Sequence, residues 1–196
     1  MSSADIAVAQ RCSESKVNYW IRKFNIQKRS VSEAVYLKHN PLGNPFKIKP
    51  IQSMADAQLL GLGLGLFWGE GTKKSKVSVR LGNTDPGLIR EFIKFLIHIC
   101  GAEPKKLKFW LQIFDDMPRK ATLLFWLNSL KEFGIIKEQF SKVTVTPSRS
   151  IGTYREKSKH GVLSVYFHNT KLKQAIDQMI ADVAQRQSNC MVSSRS

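Results

Sequence analysis

Acidic side chains are scarce in this sequence. In 196 residues, 15 Asp and Glu stand against 31 Lys and Arg, a formal net charge of +16. Cysteine is scarcer still. Cys12, Cys100 and Cys190 are odd in number and far apart, which excludes a disulfide framework and a cysteine zinc site. His39, His98, His160 and His168 show no metal-ligand spacing, so each is expected to be structural or solvated. Long apolar runs are missing: the strongest, residues 59–68, falls short of the roughly 20 residues that cross a bilayer. A secretory signal, a long amphipathic basic helix and a lipid-anchor motif are missing too. The expectation is a cytoplasmic protein with no membrane partner, whose charge seeks a polyanion, nucleic acid first.

Apolar residues are plentiful enough for a core, at 42% against 23% charged, and the length suits one core plus a small module. Residues 5–29, DIAVAQRCSESKVNYWIRKFNIQKR, divide into a short helix around Ile6 and Ala7, a turn at Cys12 and Ser13, and a second helix. Ser13 is its N-cap, and Val17, Trp20 and Ile21 form its buried stripe. A further helix is expected over 31–38, after Ser30. Small Ala7, apolar Val17 and the Trp20-Ile21 pair resemble a helix-turn-helix DNA-binding motif, with Arg11 where the motif usually has its turn glycine. The resemblance implies that Ser13, Glu14, Ser15, Lys16, Asn18 and Tyr19 lie toward a groove, and Arg22 and Lys23 near phosphates. The module is expected at 1–38 and a linker at 39–54, where HNPLGNPFKIKP carries three prolines. The main domain is expected at 55–185 and a disordered tail at 186–196.

Glycine gathers in one place, GLGLGLFWGEG at 61–71. Gly61, Gly65 and Gly69 recur every four residues and share one helical face. Each costs up to about 1 kcal/mol against Ala in a helix interior. Close approach of a second helix backbone to the bare strip offsets that cost. Nucleotide loops fail on spacing: G-x-G-x-x-G meets Leu66 or Trp68 at its last glycine, and in GEGTKKS the threonine precedes the lysine. The last nine residues, GLGLFWGEG, resemble the LAGLIDADG motif of homing endonucleases, with Gly65 at the motif's small position and Glu70-Gly71 at its acid-glycine end. The resemblance implies paired motif helices in contact through small residues. It also implies a divalent metal, Mg²⁺, held at Glu70 and Gly71, with Glu70 catalytic.

Beyond Gly71, apolar residues alternate in four places. Val77, Val79 and Leu81 alternate with Lys76, Ser78 and Arg80; Leu107, Phe109, Leu111 and Ile113 with Lys106, Lys108, Trp110 and Gln112. Val143 and Val145 alternate with Lys142, Thr144 and Thr146; Leu163, Val165 and Phe167 with Ser164, Tyr166 and His168. The outward set contains no Asp or Glu, so it reads as a DNA-facing surface: lysines to phosphates, and Arg80, Gln112 or hydroxyls to base edges. Helices are expected at 86–100, 119–133 and 170–185, with Asp85, Asp115 and Asp116 as caps. SVRLGNTDPGLIREFI and SVYFHNTKLKQAID echo each other, as do LFWGEG and LFWLNS, the latter pair aligning Glu70 with Asn128. The fold class expected is α+β: a LAGLIDADG-like saddle with a basic antiparallel sheet face, plus a small helical module.

Three functions compete. A metal-dependent endonuclease with one acid motif per chain needs a homodimer through Gly61, Gly65 and Gly69, acting on double-stranded DNA. A non-catalytic DNA-binding transcriptional regulator would be a monomeric pseudo-dimer with Glu70 opposite Asn128. An RNA-binding protein would share the charge but gain little from a helix-turn-helix.

Overall fold

Serine opens each of the first four helices. In a computed structural model of the chain, the side chains of Ser2, Ser13, Ser30 and Ser53 accept the backbone N–H of Asp5, Lys16, Glu33 and Asp56 at 3.1, 3.3, 3.2 and 3.1 Å. Asp5 and Asp56 return the bond to the backbone N–H of Ser2 and Ser53, closing capping boxes. The structure describes residues 2–148 and 158–193, those from 186 on by backbone alone. Residues 194–196 of the expected tail lie outside the described residues. The chain divides into two compact units, Met1–Asn44 and Pro45–Ser196.

The first unit holds α1 (Ser3–Ala9), α2 (Glu14–Lys23) and α3 (Val31–His39). Ala7 and Val17 are buried, and the turn between α1 and α2 closes with the Cys12 N–H donating to the Ala7 carbonyl at 3.0 Å. Arg11 sits there at φ 48°, the left-handed region that glycine enters most easily. Trp20 was expected in the buried stripe and is 41% exposed, stacked on Phe24 at 5.6 Å. The reason is that α3 buries none of its residues, and so small a unit has no further layer to cover the ring.

The second unit begins inside the stretch read as linker. The Lys47 and Lys49 N–H groups donate to the carbonyls of Gly101 and Ile99 at 3.3 and 2.9 Å, while Phe46 and Ile48 pack on the core. The order that follows is α4 (Met54–Glu70), β1 (Val79–Asn83), α5 (Pro86–Lys94), β2 (Lys108–Phe114), α6 (Arg119–Ser129), β3 (Thr144–Thr146), β4 (Val162–Phe167) and α7 (Thr170–Ser193). This is the sequence of helices and strands that the alternation and capping signals lead one to expect, in an α+β arrangement. α5 continues as a π-helical turn, Phe95–Ile99. α7 runs beyond residue 185, where the main domain was expected to end.

The four strands lie in the order β1-β4-β2-β3. β4 is antiparallel to β1 and β2, but β3 is parallel to β2, so the sheet is mixed where an antiparallel one was expected. The cause is α6, a crossover that returns the chain in its original direction. Val79, Leu81, Phe109, Leu111, Ile113, Leu163, Val165 and Phe167 form one buried face, and helices α4 and α5 pack there. Each such side chain contributes roughly 1.5–3 kcal/mol of burial. The register pairs Val79 with Phe167 and Phe109 with Val165, so a one-residue slip of β4 would turn this apolar set outward.

The alternation expected before β1 breaks: Val77 is 61% exposed and Ser78 is buried. The Ser78 N–H donates to the Ser75 hydroxyl at 3.2 Å, and this local turn shifts the parity. Val145 is also exposed, because β3 is a three-residue edge strand. Asp85 caps α5 as expected, accepting from the Gly87 N–H at 2.7 Å. Asp115 does not cap α6; its carboxylate accepts the Ser148 N–H at 3.1 Å, and the N-cap is Pro118. The two LFW segments are not equivalent, since Trp126 is fully buried and Trp68 is 45% exposed. The other echo has structural counterparts: β1 and β4 pair directly, and Asn83 and Asn169 each bond backbone N–H groups entering the next helix.

Candidate nucleic-acid interface

Every second residue of the sheet points away from the helices. Register aligns Arg80, Tyr166 and Lys108 across β1, β4 and β2. The next row is Gly82, Ser164 and Trp110, and a third aligns Val162, Gln112 and Thr144. The Arg80 guanidinium lies 4.7 Å from the Tyr166 ring centroid and 5.1 Å from that of Trp110. The Trp110 indole N–H donates to the Thr144 hydroxyl at 2.7 Å, and the Gln112 amide donates to the Thr146 hydroxyl at 3.0 Å. His168, exposed just after β4, stacks on Tyr166 at 5.7 Å. Burial pushes the Tyr166 phenol above its ordinary value, with Arg80 and Ser164 pulling the other way, so its hydroxyl keeps its proton at neutral pH.

Arg80, Lys108, Gln112, Thr144, Thr146, Tyr166 and His168 thus come together on or beside one surface. Lys106 stands in a short 3-10 turn before β2, Lys142 just before β3 and Lys76 in the turn before β1, all exposed. Ser78 is removed from the surface by its bond to Ser75. Ser164 is buried as well: its hydroxyl occupies the space over Gly82 across the strand pair, where a Cβ would lie 2.6 Å from it. Trp110 was expected to point outward but was assigned no role. Its signal was its place between Lys108 and Gln112, and it organises the surface by holding Arg80 and Thr144.

Glu70, the last residue of α4, is exposed and has no hydrogen-bond or ion-pair partner among the described residues. The chain leaving it runs beside β1: Gly71 bridges to Leu81, and the Thr72 N–H donates to the Arg80 carbonyl at 2.9 Å. The candidate acid therefore stands beside the β1 edge of the sheet. Gly61, Gly65 and Gly69 were expected against a second helix. Among the described residues a Cβ at any of the three would meet nothing within 4 Å. The glycine that packs is Gly63, where a Cβ would overlap the Phe95 ring. Leu62 and Trp68, exposed like the glycines, extend the bare apolar side of α4. The pairing of α4 with α6 expected of a monomeric pseudo-dimer is not what covers this strip, since nothing among the described residues does.

In the first unit, Ser15, Lys16, Tyr19, Arg22 and Lys23 are exposed on α2. Asn18 is half-buried and accepts from the Lys28 ammonium at 2.6 Å, while Lys23 lies over the Trp20 ring at 4.9 Å. Ser13, capping α2, spends its hydroxyl on the backbone. Among the described residues no helix is long and apolar enough to cross a membrane, and no three acidic, histidine or cysteine side chains gather as a metal site. No protein family, curated protein or solved structure matches this chain.

Proposed function

We propose that this chain binds double-stranded DNA in the manner of LAGLIDADG homing endonucleases, with the outer face of its sheet against the duplex as one half of a saddle. The observation that carries the reading is the chemistry of that face. Lys108 is a cation for phosphates, Arg80, Gln112, Thr144 and Thr146 offer polar groups to base edges, and none of the outward residues of the four strands is an acid. Residues 1–38 add a helix-turn-helix contact through α2. The positive φ of Arg11 in the turn favours this, because that backbone lets two short helices cross.

A second copy of the chain covers Gly61, Gly65 and Gly69, placing two Glu70 carboxylates side by side. A single chain supplies one carboxylate, Glu70, and the Gly71 carbonyl; two copies would supply a pair of each, with water and phosphate oxygens completing the shell of Mg²⁺. The bound metal would activate water and stabilise the leaving oxygen. The test compares Glu70→Gln with the parent on supercoiled plasmid and Mg²⁺. The parent is expected to cut and the variant not to; equal cutting removes Glu70 from the chemistry. A parent that binds duplex and leaves plasmid intact supports the second reading, a non-catalytic regulator. The single acid at the end of α4 in each chain, Glu70, favours that alternative.

A further inference from the structure

Beside the Tyr166 and His168 stack the sheet surface dips into an open depression of about 450 Å³. Its walls include Lys108, Trp110, Tyr166 and His168, and its other side carries Glu138 and Phe140. Volumes of roughly 300–1,000 Å³ are usual for small-molecule sites. At about 30 Å³ per water the dip holds on the order of fifteen waters, close to the heavy atoms of one nucleoside.

We infer that this depression receives one unpaired base displaced from a bound DNA duplex; the inference rests on the duplex-binding reading above. A paired base is stacked on both faces and offers a protein only its edges. Aromatic faces are therefore of use to a base that has left the stack, whose own faces are free. Tyr166 and His168 lie within 18° of parallel, and His168, exposed in the wall of the dip, extends their stack toward a base. The polar groups suit a base edge and its phosphate. Lys108 donates, Glu138 accepts, and no ion pair joins the two among the described residues.

The surroundings are rigid before any ligand arrives. The Gln139 amide donates to the carbonyls of Pro104 and Leu107 at 2.8 and 2.9 Å and accepts the Ile136 N–H at 3.0 Å. The Ser141 hydroxyl donates to the Phe109 carbonyl at 3.1 Å. Little ordering is left to be done on binding.

Three labelled DNAs of one sequence test this on the full chain: an intact duplex, the same duplex with one unpaired thymidine, and the single strand. Stacking of one base on an aromatic ring is roughly a five- to 150-fold effect. The parent is expected to bind the bulged duplex at least about fivefold more tightly than the intact one. That preference is expected to vanish in His168→Ala and in Tyr166→Leu, with His168, an exposed side chain, the safer of the two for folding. Trp110 emission, taken as the difference between parent and Trp110→Phe, is expected to be quenched more strongly by the bulged duplex than by the intact one. Equal affinity for bulged and intact duplex overturns the inference and leaves duplex binding standing. Tightest binding to the single strand, or a preference that survives both substitutions, also overturns it. Binding to none of the three overturns the inference and the duplex reading together.

Discussion

Arg80 and Tyr166 face each other across the β1–β4 pair, and the guanidinium rides over the phenol ring at 4.7 Å while also touching the Trp110 face. Two rings hold the cation in place, each contact contributing roughly 0.5–1 kcal/mol at a solvent-facing site. Arg80→Ala is therefore expected to weaken duplex binding by about 1–3 kcal/mol and, if the guanidinium meets phosphate, to lower the salt slope by about 1. Arg80→Lys keeps the charge but loses the flat stacking group, and is expected to recover only part of the affinity. Fluorescence anisotropy with a labelled duplex reads both.

The glycines of α4 give opposite signs for one kind of change. In a single chain Gly65→Ala adds a methyl that meets nothing within 4 Å, so it is expected to stabilise that helix by about 0.5–1 kcal/mol. In a pair of chains joined through the same strip, the methyl holds the backbones apart and weakens association. Gly63→Ala collides with Phe95 and is expected to cost about 1–3 kcal/mol in either state. Thermal melts at low and high protein concentration, with sedimentation equilibrium, separate these outcomes.

Cys100 is buried among apolar side chains, and burial pushes its thiol up to about 12. The thiolate is the reactive form, so at pH 8 Cys100 is expected to resist alkylation that reaches half-buried Cys12. The sign for stability follows from the same shift. The folded thiol titrates higher than the unfolded one, whose ordinary value is 9.0, so the contribution is full below that pH and lost as pH rises toward about 12. Peptide mapping after iodoacetamide, with and without denaturant, checks the reactivity; denaturant melts between pH 8 and 11 check the sign.

Much of the fold could be read from local signals. Ser13, Ser30 and Asp85 announce helix starts because a short polar side chain before an apolar run has few better uses than a cap. Strict alternation in β2 and β4 fixed which side of the sheet would be buried. The failures have causes that alternation cannot express. The Ser75-Ser78 bond turns the chain just before β1, hiding Ser78 and exposing Val77. Asp115 finds the Ser148 N–H, 33 residues away, rather than the next helix. Of the candidate surface, the cations and hydroxyls were legible one by one. The Arg80 cradle between Trp110 and Tyr166 was not, because it depends on β4 lying between β1 and β2, an order local sequence does not specify.

Duplex binding through the sheet face is the claim on which cleavage, pairing of chains and base capture all stand, and its salt dependence tests it most directly. Cations that displace counterions from about six phosphates lose on the order of a thousandfold in affinity between 50 and 200 mM salt. The parent is expected to show that steep linear fall on a log–log plot, with a shallower line for an Arg80→Ala, Lys108→Ala double variant. A flat line, or parallel lines of equal slope for parent and variant, would contradict the account.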